Sequence, residues 1–189
     1  MANEQQRYLD RAAQRLRKQF LAEAPDPVLV TYGFPSARAL SLKKRRVGEC
    51  WHSGAEPEGY SAVIFVSPIL WTDPVEVLAT LLHEMIHAAE PKGGHRAPFS
   101  RLARRCGFTQ PWTRTPLSPE LREKLAALAV SLGEFPAAGM RIKIPRRGSK
   151  GSRLRLWECE CNPPVKVRVA SDDFQACCGP CDRPFKRGD

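Results

Sequence analysis

Apolar residues along this chain recur in two rhythms, one of a helix and one of a strand, and their alternation outlines the elements. Residues 4 to 22 place Tyr8, Leu9, Ala12, Ala13, Leu16 and Phe20 on one helical face, with Arg7, Arg11, Arg15 and Lys18 elsewhere. This predicts an amphipathic helix that packs as a lid; Glu4, Asp10 and Glu23 interrupt its basic face, which argues against membrane-surface binding. Val28 to Tyr32 reads as a short strand closed by Gly33 and Pro35, and Val47 to His52 as another. Tyr60 to Val66, closed by Ser67-Pro68, is the clearest strand of all. Asp73-Pro74-Val75-Glu76 is a helix start, with Asp73 at the N-cap, Pro74 at the first helical position and Glu76 reaching back. Val77, Leu78, Leu81, Leu82, Met85, Ile86 and Ala89 then cover most of the circumference, so this helix is buried on nearly all sides. Phe99, Leu102, Ala103 and Cys106 keep helical spacing up to a C-cap at Gly107, Cys106 being a small buried hydrophobe. Ser118-Pro119-Glu120-Leu121 opens a last helix that runs to about Leu132-Gly133 before Pro136. Near the end, Leu154, Leu156, Val165, Val167 and Val169 alternate with polar residues, as strands do.

Inside the most buried helix stands Leu81-Leu82-His83-Glu84-Met85-Ile86-His87, which contains the pattern H-E-x-x-H. Four helical residues advance about 6 Å and return to nearly the same face, so both imidazoles can reach one zinc ion. Glu84 projects beside that face, where it can polarise a metal-bound water without being a ligand. Two histidines and a glutamate in so apolar a helix need partners, and one metal supplies both histidines at once. A catalytic zinc takes three protein ligands and keeps a position for water. Pro91 ends the helix, Gly93-Gly94 permits a sharp turn, and His95 can fold back onto the metal. Glu90 competes for the third position from the same helical face; as the last residue before Pro91 it is expected to fray into solvent, which favours His95.

Length, charge and cysteines then set the organisation. The 189 residues, 42% hydrophobic, suit one medium domain with a small appendage. No apolar run approaches the roughly 18 residues that cross a bilayer. The N-terminus is charged and Gln-rich where a signal peptide would be apolar. We therefore expect a cytoplasmic protein with reduced thiols and no membrane partner, nucleoid-associated if it holds DNA. The net charge is +10, and the seven cations Arg141, Lys143, Arg146, Arg147, Lys150, Arg153 and Arg155 stand together with no acid among them. A flexible basic linker over residues 135–152 follows, between a domain at 1–134 and a module at 153–189. Such a run attracts nucleic-acid phosphates without reading sequence; Arg146, Arg147, Lys150 and Arg153 are the candidate contacts, with a plain solvated linker as the competing reading. Lys43-Lys44-Arg45-Arg46 is a second basic run, either a solvated turn or a phosphate contact. Cys50 and His52 read as ordinary strand residues, because no partners at ligand spacing accompany them. The late cysteines fit a metal better than a disulfide framework: Cys159-Glu160-Cys161 and Cys178-Gly179-Pro180-Cys181 are two close pairs with the spacing of a four-thiolate structural zinc. Cys178 gives the regular C-x-x-C with Cys181, Cys177 beside it could substitute, and a redox or free-thiol cluster is the alternative.

His83-Glu84-Met85-Ile86-His87, then Gly94-His95 and Phe99, resemble the SprT-like (Spartan-like) zinc metalloproteases. That family carries an HExxH helix, a Gly-His third-ligand segment followed by an aromatic, and often a C-terminal zinc ribbon. Where the family often has a glycine after the third histidine, this chain has Arg96. Position by position, the resemblance implies that His83, His87 and His95 hold the catalytic zinc and Glu84 is the general base and acid. It also implies proteins on DNA as substrates and, by the habit of zincin proteases, the strand Ala62 to Val66 as a partner for an extended substrate backbone. The expected fold is α+β, a zincin-like metalloprotease domain with a central HExxH helix and a small sheet, followed by a small β zinc ribbon. The expected function is a zinc-dependent endopeptidase acting on DNA-bound or DNA-crosslinked proteins, with two zinc ions and no sequence preference for DNA. Two other classes fit the same residues: a nucleic-acid-binding zinc protein without protease activity, and a general protease whose basic tail holds a protein partner.

Overall fold

The uninterrupted apolar run Ala62-Val63-Ile64-Phe65-Val66 owes its composition to its place at the centre of a sheet. In a computed structural model that describes residues 4–41, 43–52, 54, 57–92, 94–137 and 154–188, this run is strand β3 (Ala62–Val66). Strand β1 (Val28–Tyr32) pairs with it in parallel, Val28 opposite Ala62 and Tyr32 opposite Val66. Strand β2 (Gly48–Trp51) lies antiparallel on the other side, Gly48 opposite Val66 and Trp51 opposite Val63. Ser67 N–H donates to Val47 O at 2.9 Å and Gly33 N–H to Val66 O at 3.1 Å, extending the ladder at one end. Because β3 has backbone partners on both sides, it has no edge for a substrate strand, and the expectation that Ala62 to Val66 pairs with substrate is corrected.

Helix α1 (Glu4–Phe20) buries Tyr8, Leu9, Ala12, Ala13 and Leu16, the stripe its sequence shows, against β1 and the central helix. The central helix, α2 (Pro74–Ala89), begins where Asp73 accepts from Val75 N–H at 2.8 Å and Glu76 N–H at 3.4 Å. Glu76 points to Arg122 at 3.4 Å; with both groups about half exposed, that pair adds little to stability. α2 buries Val77, Leu78, Leu81, Leu82, Met85 and Ile86, between the sheet on one side and α3 (Ala97–Cys106) and α4 (Pro119–Ser131) on others. α3 ends at Gly107 with φ +99°, a left-handed C-cap, and α4 begins where Ser118 Oγ accepts from Leu121 N–H at 3.1 Å. Trp71 is fully buried, stacked on Phe135 with ring centroids 5.2 Å apart, and Phe135 also meets Tyr8 at 5.3 Å. Phe135 therefore packs, partly buried, against the core, although it reads as the first linker residue in the sequence.

By packing, the chain divides into two units, Met1–Lys143 and Ile144–Asp189. The second carries β4 (Arg155–Glu158), β5 (Lys166–Val169) and β6 (Lys186–Arg187), antiparallel in the order β5-β4-β6. Trp157, Phe174 and Phe185 touch in sequence at 5.6 and 6.0 Å, a core of three aromatic rings. The architecture is α+β, with four helices and two three-stranded sheets among the described residues. None of these helices is long and apolar enough to cross a membrane.

α2 and β2 touch where the strand has no side chain. A Cβ on Gly48 would stand 2.5 Å from Glu84 Oε1 and 2.7 Å from Thr80 Cγ2, closer than packed atoms allow. Gly48→Ala is expected to destabilise the protein by roughly 1–3 kcal/mol through this overlap, measured by urea unfolding; an unchanged midpoint would show that the helix and strand are free to separate.

Candidate metal centres

α2 carries His83 and His87 on one face, one turn apart, and their Nε2 atoms stand 3.2 Å from each other. The chain then turns through Pro91 and Gly94, the latter at φ +50°, and His95 returns with its Nε2 3.3 Å from both. The three form one group of possible metal ligands; Glu90, at the helix C-cap, is not in it. Phe99, fully buried, is the platform beneath all three rings, with centroids 4.4 Å from His87 and 4.9 Å from His83 and His95. His83 Nδ1 lies 2.8 Å from Thr115 Oγ1, so an Nδ1–H that donates to this hydroxyl leaves Nε2 as a lone pair facing the other two. Burial holds His83 down to about 3, with the neighbouring His87 and His95 adding to the effect. It likewise holds His87 to about 4 and lowers His95. Neutral imidazoles thus converge at ordinary pH, and convergent lone pairs repel unless a cation stands between them. The donor set fits zinc: bonds of about 2.05 Å at a tetrahedral angle place nitrogens about 3.3 Å apart.

Glu84 is 7% exposed, pressed between α2 and Gly48 of β2. Burial raises its carboxyl from 4.5 to about 8; Arg46 opposes this shift and Glu49 adds to it. Cys50 sits nearby, its thiol pushed up to about 12 by burial and then by the Glu84 charge, so it stays protonated. Cys50 and His52 line the same cleft as the three histidines, yet neither joins the ligand group.

The cleft, of about 1090 Å³, is walled by α2, β2 and the segment 113–117, and the cations Arg38, Lys44, Arg45, Arg46, Arg114 and Arg122 line it. Of the basic run at 43–46, Lys43 is exposed and outside that lining. Arg46 pairs with Glu49 and Arg122 with Glu76; among the described residues no salt bridge reaches Arg38, Lys44, Arg45 or Arg114. The other candidate phosphate contacts, Arg146, Arg147, Lys150 and Arg153, lie outside the described residues, as do most of residues 135–152. Gly48, Thr115, Arg38 and Arg114 went unnoticed in the sequence. Each is remote in sequence from the histidines, and no local spacing marks any of them.

In the second unit Cys159, Cys161, Cys178 and Cys181 form a second group of possible ligands. Cys161 and Cys178 Sγ are 3.8 Å apart, far beyond a disulfide and equal to the separation of about 3.8 Å that zinc–sulfur bonds of about 2.3 Å set at a tetrahedral angle. The one-residue spacer is accommodated because the chain after Cys159 folds over its sulfur, with Cys161 N–H donating at 3.4 Å and Val165 N–H at 3.1 Å. Burial raises the Cys159 pKa, but these donations outweigh it and bring the thiol down to about 7, toward the thiolate a metal needs. Cys178 is buried in the group, whereas Cys177 is exposed and outside it.

Glu84 has a signed consequence for the metal-free protein. Its folded pKa of about 8 exceeds 4.5, so across that interval the folded state keeps a proton the unfolded chain has released, and this stability is lost as pH rises. Relative to wild type, metal-free Glu84→Gln is expected to gain stability progressively from about pH 5 to pH 8 in urea titrations; a difference that stays flat would refute the buried carboxyl. The second unit buries few side chains, and its fold is expected to depend on its four thiols. Chelation, or Cys181→Ser, is expected to collapse the signals of residues 154–188 in proton–nitrogen spectra while those of α1 to α4 persist; a tail unchanged without metal counts against this.

No protein-family model and no curated protein sequence matches this chain, so what it does is argued from the geometry of these centres.

Proposed function

We propose that this chain is a zinc-dependent endopeptidase, zincin-like and SprT-like in its first unit, acting on proteins bound or crosslinked to DNA. The observation that carries the reading is the joint placement of three convergent imidazole nitrogens and the Glu84 carboxyl at the floor of one open cleft. A purely structural zinc has no need of the carboxyl, nor of a cleft. His83, His87 and His95 hold the ion, which when bound supplies a Lewis acid to polarise the scissile carbonyl and acidify water. Glu84, whose carboxyl burial raises to about 8, would ionise more readily with that charge in the same cleft. Glu84 then takes the proton of the attacking water and hands it to the leaving amine.

The edge available to an extended substrate is that of β2, since Val47, Gly48, Glu49 and Cys50 line the cleft and β2 is an outer strand. With Val47 O bonded to Ser67, alternation along the strand turns the peptide groups of Gly48 and Cys50 away from β3, toward that edge.

DNA attachment rests on the linker more than on the second unit, which we read as a structural zinc ribbon. Residues 154–189 contain six Lys and Arg against six Asp and Glu. Its cations are largely paired, Arg155 with Asp172, Lys166 with Glu158, and both Arg183 and Lys186 with Glu160. In the sequence no acid interrupts the cations from Arg141 to Arg153, and among the described residues no salt bridge reaches Arg38, Lys44 or Arg45 on the cleft; charge of this kind suits phosphates without sequence preference.

Zinc-loaded protein is expected to cleave a DNA-binding protein faster with single-stranded DNA than without it, and Glu84→Gln is expected to lose about 10²–10⁴-fold in rate. Cleavage indifferent to DNA would leave a general protease, and no cleavage by zinc-loaded wild type would leave a binding module.

A further inference from the structure

Thr115 occupies a conformation that suits glycine. Its φ is +43°, in the left-handed region, where a β-branched side chain is strained. The loop that carries it, between α3 and α4, holds this shape firmly. Arg114 and Thr115 N–H both donate to Pro111 O at 2.9 Å, Thr109 N–H donates to Pro116 O at 2.8 Å, and Phe108 bridges to Leu117. The side chain is 7% exposed, and its hydroxyl meets His83 Nδ1 at 2.8 Å. Neither His87 nor His95 has such a hydroxyl partner among the described residues. A strained backbone and a buried hydroxyl therefore coincide at one residue, and the contact they produce falls on the imidazole nitrogen that faces away from the convergent site.

We propose that Thr115 is a positioning residue for the metal centre: its hydroxyl accepts the Nδ1–H of His83, fixing the ring's tautomer and rotation so that the Nε2 lone pair points at the ion. This rests on reading the three histidines as a metal site. Glycine would relieve the backbone at this position and serine would keep the hydroxyl, so the strain is retained for what the side chain does, and the hydroxyl is the part of it with a polar partner.

The test uses the full chain and the ring nitrogen signals of His83, His87 and His95, followed as zinc is titrated against a competing chelator. Thr115→Val, matched in shape but without the hydroxyl, is expected to bind zinc about 10–100-fold more weakly at these rings. Before zinc is added, its His83 nitrogens should shift toward a mixture of tautomers. Thr115→Ser is expected to restore affinity and tautomer to near wild type. Thr115→Gly separates the two roles: relief of strain holds or raises its unfolding midpoint in urea while its zinc affinity falls with that of Thr115→Val. Wild-type affinity in Thr115→Val, or a serine variant as weak as valine, would overturn the proposal. Should the affinities order as expected while wild type cleaves no protein, the positioning role stands and the protease reading fails. Cleavage by wild type, with a zinc affinity that Thr115→Val leaves unchanged, sinks the positioning role alone. A wild-type chain that binds no zinc at these rings overturns both.

Discussion

Everything in the first unit answers to one constraint, that α2 carries a carboxyl and two imidazoles into a core built from Leu78, Leu81, Leu82, Met85 and Ile86. Polar groups placed there lose their water and must find partners or give up their charge. Each neighbouring element is shaped by that demand. β2 approaches α2 at a glycine, because Glu84 and Thr80 leave no room for a Cβ. α3 offers Phe99 as a common floor for three rings, and the turn through Gly94 returns His95 to them. Loosening any one of these contacts changes the environment of the same few polar atoms.

The two units reach stability by different physics. The first surrounds α2 with α1, a three-stranded sheet, α3 and α4, and many of its side chains are fully buried. In the second, among the described residues, only Trp157, Cys159 and Cys178 are buried apolar side chains. A module that small cannot offset its conformational entropy by burial. Four converging sulfurs, with backbone N–H groups turned toward Cys159, are an arrangement through which a metal would supply what the core lacks.

What the sequence made legible was local. Helix α2 announces itself through Asp73, Pro74 and an apolar circumference, and its two histidines follow from four-residue spacing. His95 was within reach of argument because Pro91 and the glycines after it permit one kind of return. Spacing favours Cys178 over Cys177, and Cys178 is the one in the group of possible ligands. Long-range choices were hidden. The order β1-β3-β2 follows from how the sheet closes, and no residue of Ala62–Val66 says that both its edges are taken. β6 is two residues long, below the length at which alternation can be seen. Thr115 joins His83 across 32 residues, and Phe135 returns to Tyr8 and Trp71 from what reads as the start of a linker.

Burial sets the protonation states at this site. Desolvation keeps the imidazoles neutral, so their lone pairs are available without competition from protons. The same desolvation keeps Glu84 protonated, a state whose cost to folding grows as pH rises from about 5 to about 8. His83, His87 and His95 would hold a cation on these lone pairs, and its charge would favour the ionised form of Glu84 over the protonated one. The low-dielectric setting strengthens every one of these interactions relative to water. The burial that withholds protons from the imidazoles is therefore the same burial that holds one on Glu84, and an ion at the three nitrogens would shift only the second.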